Sequence, residues 1–269
     1  MKWTKEEENK LREYWALGSK EKLLNLFPNR TYSQIKDKAL KGLRIKKLKK
    51  TNAKWNVDKL NSFDTEACYW WGIIMADGCL TRTQLILSLE QKDREHLQKF
   101  SDYTGMQMQY IERKNDYNPI VPQRMWRVAM TSKYQLSIWN KMFSISGRKT
   151  YNPPDLSLFN KDREKFRAFI VGFIDGDGSI SFSNKRGYMG ITCHSSWEKI
   201  FNDFQKYLLE YFGIKSTITR PKEGLISIRI SSHSHLLKLL EISKGLPVLD
   251  RKWEKIKIIE NEKKLNNFM

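Results

Sequence analysis

The chain has 269 residues, and its hydrophobic fraction of 40% is enough for one large domain or two to three small ones. Its 49 lysines and arginines outnumber its 30 aspartates and glutamates, so the net charge is +19 and the pI about 9.7. This charge predicts an anionic partner, either nucleic acid or a membrane surface. We find no apolar run of about eighteen residues, no signal peptide and no basic amphipathic helix with a clean apolar face, so we expect nucleic acid and no membrane.

The three cysteines indicate the compartment. Cys68, Cys79 and Cys193 are odd in number and lack a metal-binding spacing, so we interpret them as free thiols in a reducing, intracellular compartment. The cytoplasm of a bacterium or of a phage-infected cell fits this interpretation, and an organelle is the alternative.

The N-terminal segment of 55 residues differs in composition from the rest, with sixteen basic and six acidic residues. Its pattern predicts three short helices. The first begins at Thr4 and the third at Thr31, each followed three residues later by Glu or Gln, which completes a capping box. The second helix runs from Ser19 to about Leu26. The third ends near Gly42, which we expect at the C′ position.

The third helix carries the residues that a DNA-reading helix needs. Ile35, Ala39 and Leu43 form its buried stripe, and its polar residues lie off that stripe. Three short helices with a basic third one predict a helix-turn-helix reader. The next segment, RIKKLKKTNAK, holds six bases and no acid, which favours a phosphate-tracking arm over a solvated linker. The candidate DNA contacts are Gln34, Lys36, Lys38, Lys41, Lys46, Lys47, Lys49 and Lys50.

This N-terminal unit resembles Myb/SANT-like helix-turn-helix domains. The resemblance rests on the WTKEEE opening, on Trp15 and on RTYSQIKDKA, and it covers about 45 residues. It implies that the unit binds DNA and adds affinity, or a second short site, through effective concentration.

The rest of the chain contains an internal repeat, with the same sequence pattern occurring twice. The motif YWWGIIMADGCL at 69–80 returns as FIVGFIDGDGSI at 169–180, with a glycine and an aspartate repeated one hundred residues apart. Alternating and helical stretches follow each copy in the order α-β-β-α-β-β-α. Pro153 and Pro154 mark the join. We therefore predict an α+β (mixed α/β) fold of two pseudo-symmetric halves, residues 56–150 and 151–269, after a small all-α domain with its basic linker, residues 1–55.

The small residues of the motif predict how the two copies meet. Gly172 and Gly176 lie one turn apart on one helix face, and the first copy has small residues in both equivalent places, so two helices can approach backbone to backbone. Their ends then bring Asp77 and Asp177 together. Two adjacent carboxylates at negative helix ends repel each other, and a divalent cation would offset that repulsion. With phosphates as further ligands, this is a site for metal-assisted phosphodiester hydrolysis.

Other interpretations of the motif remain. DGDGS alone could be a plain turn, and small-residue helix packing without catalysis is a further alternative. A calcium loop of EF-hand type is disfavoured, because Ile180 and Arg186 stand where such a loop needs Gly and Glu.

The two copies resemble the motifs of LAGLIDADG homing endonucleases in their single-chain form. IVGFIDGDGSI is very close to the family pattern, whereas WWGIIMADGCL departs from it at Met75, where an acid is usual. The resemblance covers about residues 60–269. It implies a DNA-binding β-saddle and a site-specific endonuclease that cuts both strands across the minor groove and leaves 3′ overhangs. It also implies Mg²⁺ as the cofactor, with Mn²⁺ able to substitute and Ca²⁺ able to bind without supporting cleavage.

The same resemblance assigns residues to the site. Its metal ligands fall on the carboxylates of Asp77 and Asp177 and on the backbone carbonyls of Ala76 and Gly176. The side chains that order the attacking water fall on Gln91, Lys133 and His233. His233 takes the place of a second lysine, and Ser195 or Ser196 takes that of a second glutamine. We therefore expect the two strands to be cut at unequal rates, unless His233 is only a polar strand end.

The alternating strands predict how DNA is read. A strand of about ten residues spans about 33 Å, or about ten base pairs, so two halves cover about twenty. Strands fit the major groove, and their polar side chains reach base edges. A solvated strand face is the alternative for each residue. The candidate readers are Gln107, Gln109, Arg113, Arg127, Thr217, Thr219, Arg229 and Ser231.

The sequence thus predicts a monomeric endonuclease with double-stranded DNA as its partner. A role in mobilising its own gene or intron is implied by the resemblance alone. Two alternatives remain on the same fold. One is a maturase that binds its own intron RNA, and the other is a DNA-binding regulator that does not cleave and whose acids are structural.

Overall fold

The computed structural model describes residues 2–16, 18–47, 55–56, 58–114, 122–183 and 186–266. Within these residues the buried side chains form two hydrophobic clusters, one in the N-terminal unit and a much larger one in the rest. No helix in the described ranges is long and apolar enough to cross a membrane. Two of the candidate DNA contacts, Lys49 and Lys50, lie outside the described residues.

The N-terminal unit contains the three predicted helices. They are α1 (Lys5–Tyr14), α2 (Lys20–Leu26) and α3 (Tyr32–Asp37), and α3 continues as a π-helical turn, Lys38–Gly42. Both predicted capping boxes are confirmed, with Thr4 and Thr31 as the N-caps. The core of the unit consists of six buried side chains, Leu11, Trp15, Leu23, Phe27, Ile35 and Ala39.

The end of the third helix differs from the prediction. Gly42 is the last residue of the π-helical turn, and the residue with left-handed backbone is Arg44, with φ 53°. Just beyond it, the carbonyl of Ile45 accepts a hydrogen bond from Trp15 Nε1 at 3.0 Å. A tertiary contact from α1 therefore fixes the chain where it leaves the helix, and sequence pattern alone could not show this.

The first half has the predicted order of elements. They are α4 (Asp58–Asn61), α5 (Thr65–Ala76), β1 (Cys79–Leu80), β2 (Gln84–Glu90), α6 (Arg94–Thr104), β3 (Met108–Arg113), β4 (Gln123–Thr131) and α7 (Lys133–Met142), with a 3₁₀ turn at Gln91–Asp93. The four strands form an antiparallel sheet in the order β1-β2-β4-β3.

The second half repeats this order. Its elements are α8 (Ser157–Asn160), α9 (Arg163–Asp177), β5 (Gly178–Ser183), β6 (Arg186–His194), α10 (Glu198–Phe212), β7 (Thr217–Thr219), β8 (Leu225–Ile230), α11 (His233–Ser243) and α12 (Asp250–Asn266), with a 3₁₀ turn at Ser195–Trp197. Its antiparallel sheet has the order β5-β6-β8-β7. The predicted mixed α/β fold of two equivalent halves is therefore confirmed.

Each sheet has an apolar face and a polar face. In β8, Ile226, Ile228 and Ile230 are buried, as the alternation predicts, and Ser227 and Arg229 point the other way. The apolar faces pack on helices and join the larger core cluster. The polar faces are left open, and this is where the predicted DNA readers lie.

Two helices, α5 and α9, form the centre of the molecule. A Cβ on Gly72 would lie 2.2 Å from the carbonyl oxygen of Phe169, and one on Gly172 would lie 2.0 Å from that of Tyr69. Only glycine allows this backbone-to-backbone contact. Almost every residue of α5 is buried, because α9 covers one side and its own half covers the other. The predicted close approach of the two helices is confirmed.

Candidate active site at the ends of the central helices

Asp77 and Asp177 lie at the paired ends of the central helices. Asp77 is the C-cap of α5, and Asp177 is the last residue of α9. The two ends touch, since a Cβ on Gly176 would lie 2.3 Å from the Cβ of Ala76 and 3.5 Å from Oδ2 of Asp77. The helix contact thus brings the two carboxylates into one site.

The pKa of each carboxyl group reflects this arrangement. The side chains are open to solvent on one side, but protein surrounds them closely enough to remove much of their hydration. This loss, together with the charge of Asp177, raises the pKa of Asp77 to about 6. The pKa of Asp177 is also raised by loss of hydration, while Lys149 and Lys252 act in the opposite direction. The site therefore disfavours two negative charges without a cation.

Two lysines that the sequence analysis did not identify hold the ends of these helices. Lys149 Nζ donates to the carbonyls of Ile74 at 2.8 Å and Met75 at 2.7 Å, at the end of α5. The three N–H groups of Lys252 Nζ are shared among four carbonyl oxygens at the end of α9: Ile174 at 3.1 Å, Asp175 at 2.6 Å, Gly176 at 2.9 Å and Gly178 at 2.7 Å. The last carbonyls of a helix lack partners within it and carry partial negative charge, so an ammonium group stabilises them.

Each lysine lies beside the carboxylate of the opposite helix. A cavity of about 270 Å³ is lined by Asp77 and Lys252, and a second of about 490 Å³ is lined by Asp177 and Lys149. Burial lowers the pKa of Lys149 to about 8, although Asp177 and Asp77 oppose this shift. The pKa of Lys252 is lowered by burial too. The arrangement is crosswise, because each cavity pairs the carboxylate of one central helix with the lysine that caps the other helix.

The two cavities differ in the side chains around this pair. The Asp77 cavity also contains Glu90, Lys92, Asp93 and Arg251, and Arg251 pairs with Asp93 at 2.5 Å. The Asp177 cavity contains a hydroxyl-bearing and imidazole lining instead, from Tyr151, Thr192 and His194. The pseudo-symmetry of the fold therefore does not extend to the chemistry of the site.

The three predicted water-ordering residues lie apart from these pairs. Gln91 Oε1 accepts a hydrogen bond from Trp126 Nε1 at 2.6 Å, while its neighbours Glu90 and Lys92 line the cavity. Lys133 and His233 are the first residues of α7 and α11, so they are equivalent, but neither is among the residues that line the two cavities. Their catalytic roles stay predictions.

The predicted serine positions lie near the second cavity. Ser195 begins the 3₁₀ turn after β6, and Ser196 Oγ donates to the carbonyl of Thr150 at 3.0 Å. Ser196 therefore contacts the segment that carries Lys149, not the carboxylate itself.

A sequence signal for the missed lysines exists in retrospect. Both lysines follow an arginine near the end of a half, in GRKTY at 147–151 and in DRKWE at 250–254. The first of these segments lies just before the two prolines that mark the join between the halves. The second copy recurs about one hundred residues later, as the aspartates do, and this recurrence could have identified the pair.

Most of the candidate readers lie on the open faces of the two sheets. Gln109 is paired with Arg127, and its Oε1 accepts hydrogen bonds from Arg127 Nε at 3.2 Å and Nη2 at 3.1 Å. Arg229 is paired with Thr217 and lies over the ring of Tyr188 at 4.6 Å. Three further candidates lie in or next to strands: Arg113 and Thr219 end β3 and β7, and Ser231 follows β8. Gln107 precedes β3.

In the N-terminal unit, several candidate DNA contacts already have partners within the unit. Gln34 completes the capping box, Lys38 pairs with Glu8 at 2.5 Å and Lys41 with Asp37 at 3.2 Å. Two other candidates, Lys36 and Lys46, are exposed, whereas Lys47 is half-buried with its Nζ 4.5 Å from the ring of Trp15. The DNA-binding role of this unit stays a prediction.

Two central helices, two facing carboxylates and two antiparallel sheets with open polar faces define the class of protein. Residues 164–243 match the family model of the LAGLIDADG-like domain. Over 114 residues the chain is 28% identical to the probable intron-encoded endonuclease Cox1-I1b of Schizosaccharomyces pombe. That match covers 38% of this chain and spans 30% of the relative's length.

Solved structures share the fold of most of the chain. The homing endonuclease I-WcaI, bound to its DNA recognition sequence, has a TM-score of 0.53 at 15% identity and covers 77% of this chain and 94% of its own. Full-length DUF199/WhiA from Thermatoga maritima has a TM-score of 0.50 at 17% identity, over 79% of this chain and 67% of its own. The chain therefore has the LAGLIDADG meganuclease fold, and the part of it that matches the LAGLIDADG-like domain model lies in its second half.

Proposed function

We propose that the chain is a site-specific homing endonuclease that makes a metal-dependent double-strand break in DNA and leaves 3′ overhangs. The observation that carries this proposal is the meeting of Asp77 and Asp177 at the ends of α5 and α9. The raised pKa of both groups means that their charges lack compensation. A carboxylate pair of this kind is costly unless a cation binds, and the fold is shared with a DNA-bound homing endonuclease.

The donor set fits Mg²⁺. Among the described residues no group of three or more His, Cys, Asp or Glu side chains could hold a metal ion. Mg²⁺ suits a two-carboxylate site, because it commonly uses one or two carboxylates and fills its other positions with phosphate and water. Asp77 and Asp177 would hold it, with Mn²⁺ able to substitute and Ca²⁺ able to bind without supporting cleavage. When bound, the ion supplies Lewis-acid activation of the phosphodiester and of water.

The predicted backbone ligands have other partners in this structure. The carbonyl of Gly176 accepts from Lys252 at 2.9 Å, and that of Ala76 accepts from Lys149 at 3.5 Å. These lysines also face the carboxylates of the opposite helices. In the proposed reaction their ammonium groups hold the helix ends in place and stabilise the negative charge that develops on the phosphate.

The substrate in this proposal is double-stranded DNA of about twenty base pairs, bound across the open faces of both sheets. Arg127 and Arg229 reach from these faces, each in contact with a neighbouring side chain that fixes its direction. Since both carboxylates belong to one chain, a monomer suffices. The basic N-terminal unit adds affinity outside this footprint.

A DNA-binding regulator that does not cleave is the second candidate. The fold alone does not separate the two functions, because both a homing endonuclease and WhiA share it. A maturase acting on its own intron RNA is a third candidate on the same fold. The paired carboxylates favour cleavage.

Cleavage selection on a randomised DNA library tests the proposal. Wild type, Asp177→Asn and the control Asp102→Asn, which changes an exposed acid of α6, would each be incubated with Mg²⁺ and with Ca²⁺. We expect wild type and the control to yield one long site in Mg²⁺ only, and Asp177→Asn to yield none. Enrichment of a bound but uncut site by wild type would favour the regulator, and the next assay would then be RNA splicing.

A further inference from the structure

Asp175, two residues before the second paired carboxylate, is held in a buried polar network. Only 3% of the residue is exposed. Its Oδ2 accepts from the hydroxyl of Tyr69 at 2.6 Å and from the backbone N–H of Leu249 at 2.9 Å, and its Oδ1 accepts from Trp253 Nε1 at 2.6 Å. Three donors therefore surround this carboxylate, one from the first half of the chain, one from the residue before α12 and one from the first turn of α12.

His96 extends the network. The Tyr69 hydroxyl donates its only proton to Asp175, so its oxygen accepts from Nε2 of His96 at 3.1 Å. Burial lowers the pKa of His96 to about 4, so the ring is neutral at pH 7 and carries its proton on Nε2. The network therefore runs from His96 through the Tyr69 hydroxyl to Asp175.

Both ends of the Leu249–Trp253 segment are bound to Asp175, and Lys252 lies between them. This is the lysine that caps α9 and lines the Asp77 cavity. A second acid also contacts the segment, because Asp93 pairs with Arg251, whose side chain is 42% exposed. Both acids are buried, but the three residues that donate to Asp175 are buried as well, whereas the partner of Asp93 is not, so Asp93 is the outer anchor of the two.

The equivalent position in α5 lacks this function. Met75 stands where Asp175 stands in α9, and its apolar side chain cannot accept hydrogen bonds from donors in this way. The segment of Lys149 is held differently, since Trp197 Nε1 donates to the carbonyl of Lys149 at 3.1 Å and Ser196 to that of Thr150 at 3.0 Å. The segments that carry Lys149 and Lys252 are therefore held by different sets of hydrogen bonds.

We propose that Asp175 is a positioning residue: its buried carboxylate fixes the Leu249–Trp253 segment and thereby seats Lys252 in the cavity of Asp77, without acting on Lys149. The departure of the first motif at Met75 then has a consequence, because only one of the two cavities depends on a motif acid for the placement of its lysine.

Lysine labelling of the full chain tests this placement without any DNA. Wild type, Asp175→Asn, Tyr69→Phe, Asp93→Asn and the control Met75→Leu would be exposed briefly to an amine-reactive ester, and modification of each lysine would be measured by mass spectrometry. We expect Asp175→Asn to raise modification of Lys252 about tenfold, while Lys149 changes less than about twofold. Met75→Leu should change neither, and Tyr69→Phe should have a smaller effect of the same kind.

Three labelling results would overturn the proposal. An equal rise at Lys149 and Lys252 would mean that Asp175 only stabilises the fold. An unchanged Lys252 would mean that the segment is seated by other contacts. A larger effect of Asp93→Asn than of Asp175→Asn would assign the placement to the outer anchor.

The strand-specific consequence rests on the proposed endonuclease function. On a supercoiled plasmid that carries the selected site, we expect Asp175→Asn to slow one strand about tenfold more than the other, so that nicked plasmid accumulates. Equal slowing of both strands contradicts the one-sided role. If wild type does not cut at all, the endonuclease proposal fails, whereas the labelling result still decides the placement of Lys252.

Discussion

At the scale of single residues, the site is built from charges that compensate one another across the helix pair. The carboxylates lie at helix C-termini, where the backbone is already partly negative. Lys149 and Lys252 donate hydrogen bonds to the carbonyls of those termini. Each also lines the cavity that contains the carboxylate of the opposite helix. This compensation is incomplete, as the raised pKa of both Asp77 and Asp177 shows.

The first prediction concerns pH and stability without divalent cations. The ordinary pKa of Asp is 3.8, and that of Asp77 in the folded chain is about 6, so the folded state binds this proton more tightly than the unfolded state. The protonated form of Asp77 therefore favours the folded state. Its contribution to the free energy of unfolding is fully present at low pH and is lost as the pH rises through about 6. We expect Asp77→Asn to unfold at a Tm about 2–4 °C above wild type at pH 7.5, allowing for solvent screening.

Thermal unfolding at pH 4.5, 6 and 7.5 checks this prediction. The difference between the two chains should shrink toward low pH. Adding Mg²⁺ at pH 7.5 should raise the Tm of wild type more than that of Asp77→Asn, since the variant lacks one ligand. A difference that is constant with pH would contradict the assigned cause.

The second prediction concerns Lys252. Lys252→Met removes the donor for four carbonyls at the end of α9 and should lower the free energy of unfolding by about 1–3 kcal/mol. Lys238→Met is the matched control, because Lys238 is exposed and donates to the carbonyl of Gly213 at 3.0 Å, so that its loss should change stability by less than about 0.5 kcal/mol. Urea unfolding of both variants measures the difference, and equal losses would argue against the capping role.

At the scale of elements, the fold depends on the contact between α5 and α9. The two helices present small residues to each other and large ones to their own halves, which explains why neither has the single apolar stripe of a surface helix. This contact also sets the distance between the carboxylates. Any group that separates the helices therefore affects stability and site together.

The third prediction follows from this contact. An added Cβ at Gly72 would meet backbone atoms at 2.2 Å and 2.6 Å, which cannot move aside as a flexible side chain would. Gly72→Ala should destabilise the chain by about 3 kcal/mol or more. Gly190→Ala in β6 is the control, since the nearest atoms lie at 3.9 Å, and it should be tolerated within about 0.5 kcal/mol. Thermal or urea unfolding distinguishes them, and a stable Gly72→Ala chain would contradict the observed packing.

Most of the helices and strands could be predicted from the sequence, whereas several residues of the candidate site could not. Periodicity and the repeated motif gave the order of helices and strands in both halves, because those signals are local. The predicted Gln91, Lys133 and His233 came from a family resemblance, and their side chains lie outside the two carboxylate–lysine pairs. Lys149 and Lys252 were missed because they reach the site from segments more than seventy residues after each aspartate.

At the scale of the whole molecule, the N-terminal unit has a core of its own. Its six buried side chains form a cluster separate from that of the two halves. A described contact between the two parts is the ion pair of Lys141 with Glu13 at 2.8 Å, and both side chains are about half exposed. Exposed ion pairs contribute little to stability, so this contact couples the two parts only weakly.

The fourth prediction concerns removal of this unit. A chain that begins at Trp55 should keep a Tm within about 4 °C of the full chain, because the larger core remains intact. Its DNA affinity should fall, and its dependence on salt should weaken, since it loses sixteen of the 49 basic residues. Binding to the selected site at several salt concentrations measures both effects. An unchanged salt slope would mean that the unit does not contact DNA.

The sequence by itself determined the repeated plan, the glycines of the central contact and the two aspartates that meet there, since each is encoded in a short local pattern. The tertiary structure alone decided that two lysines accompany those aspartates, how the two cavities differ and which donors surround Asp175. These features depend on segments brought together by the packing of α5 against α9 and of α12 against the second half. Apart from the recurring Arg-Lys pair, such contacts leave no repeated pattern in the chain, because each requires only one side chain at one place.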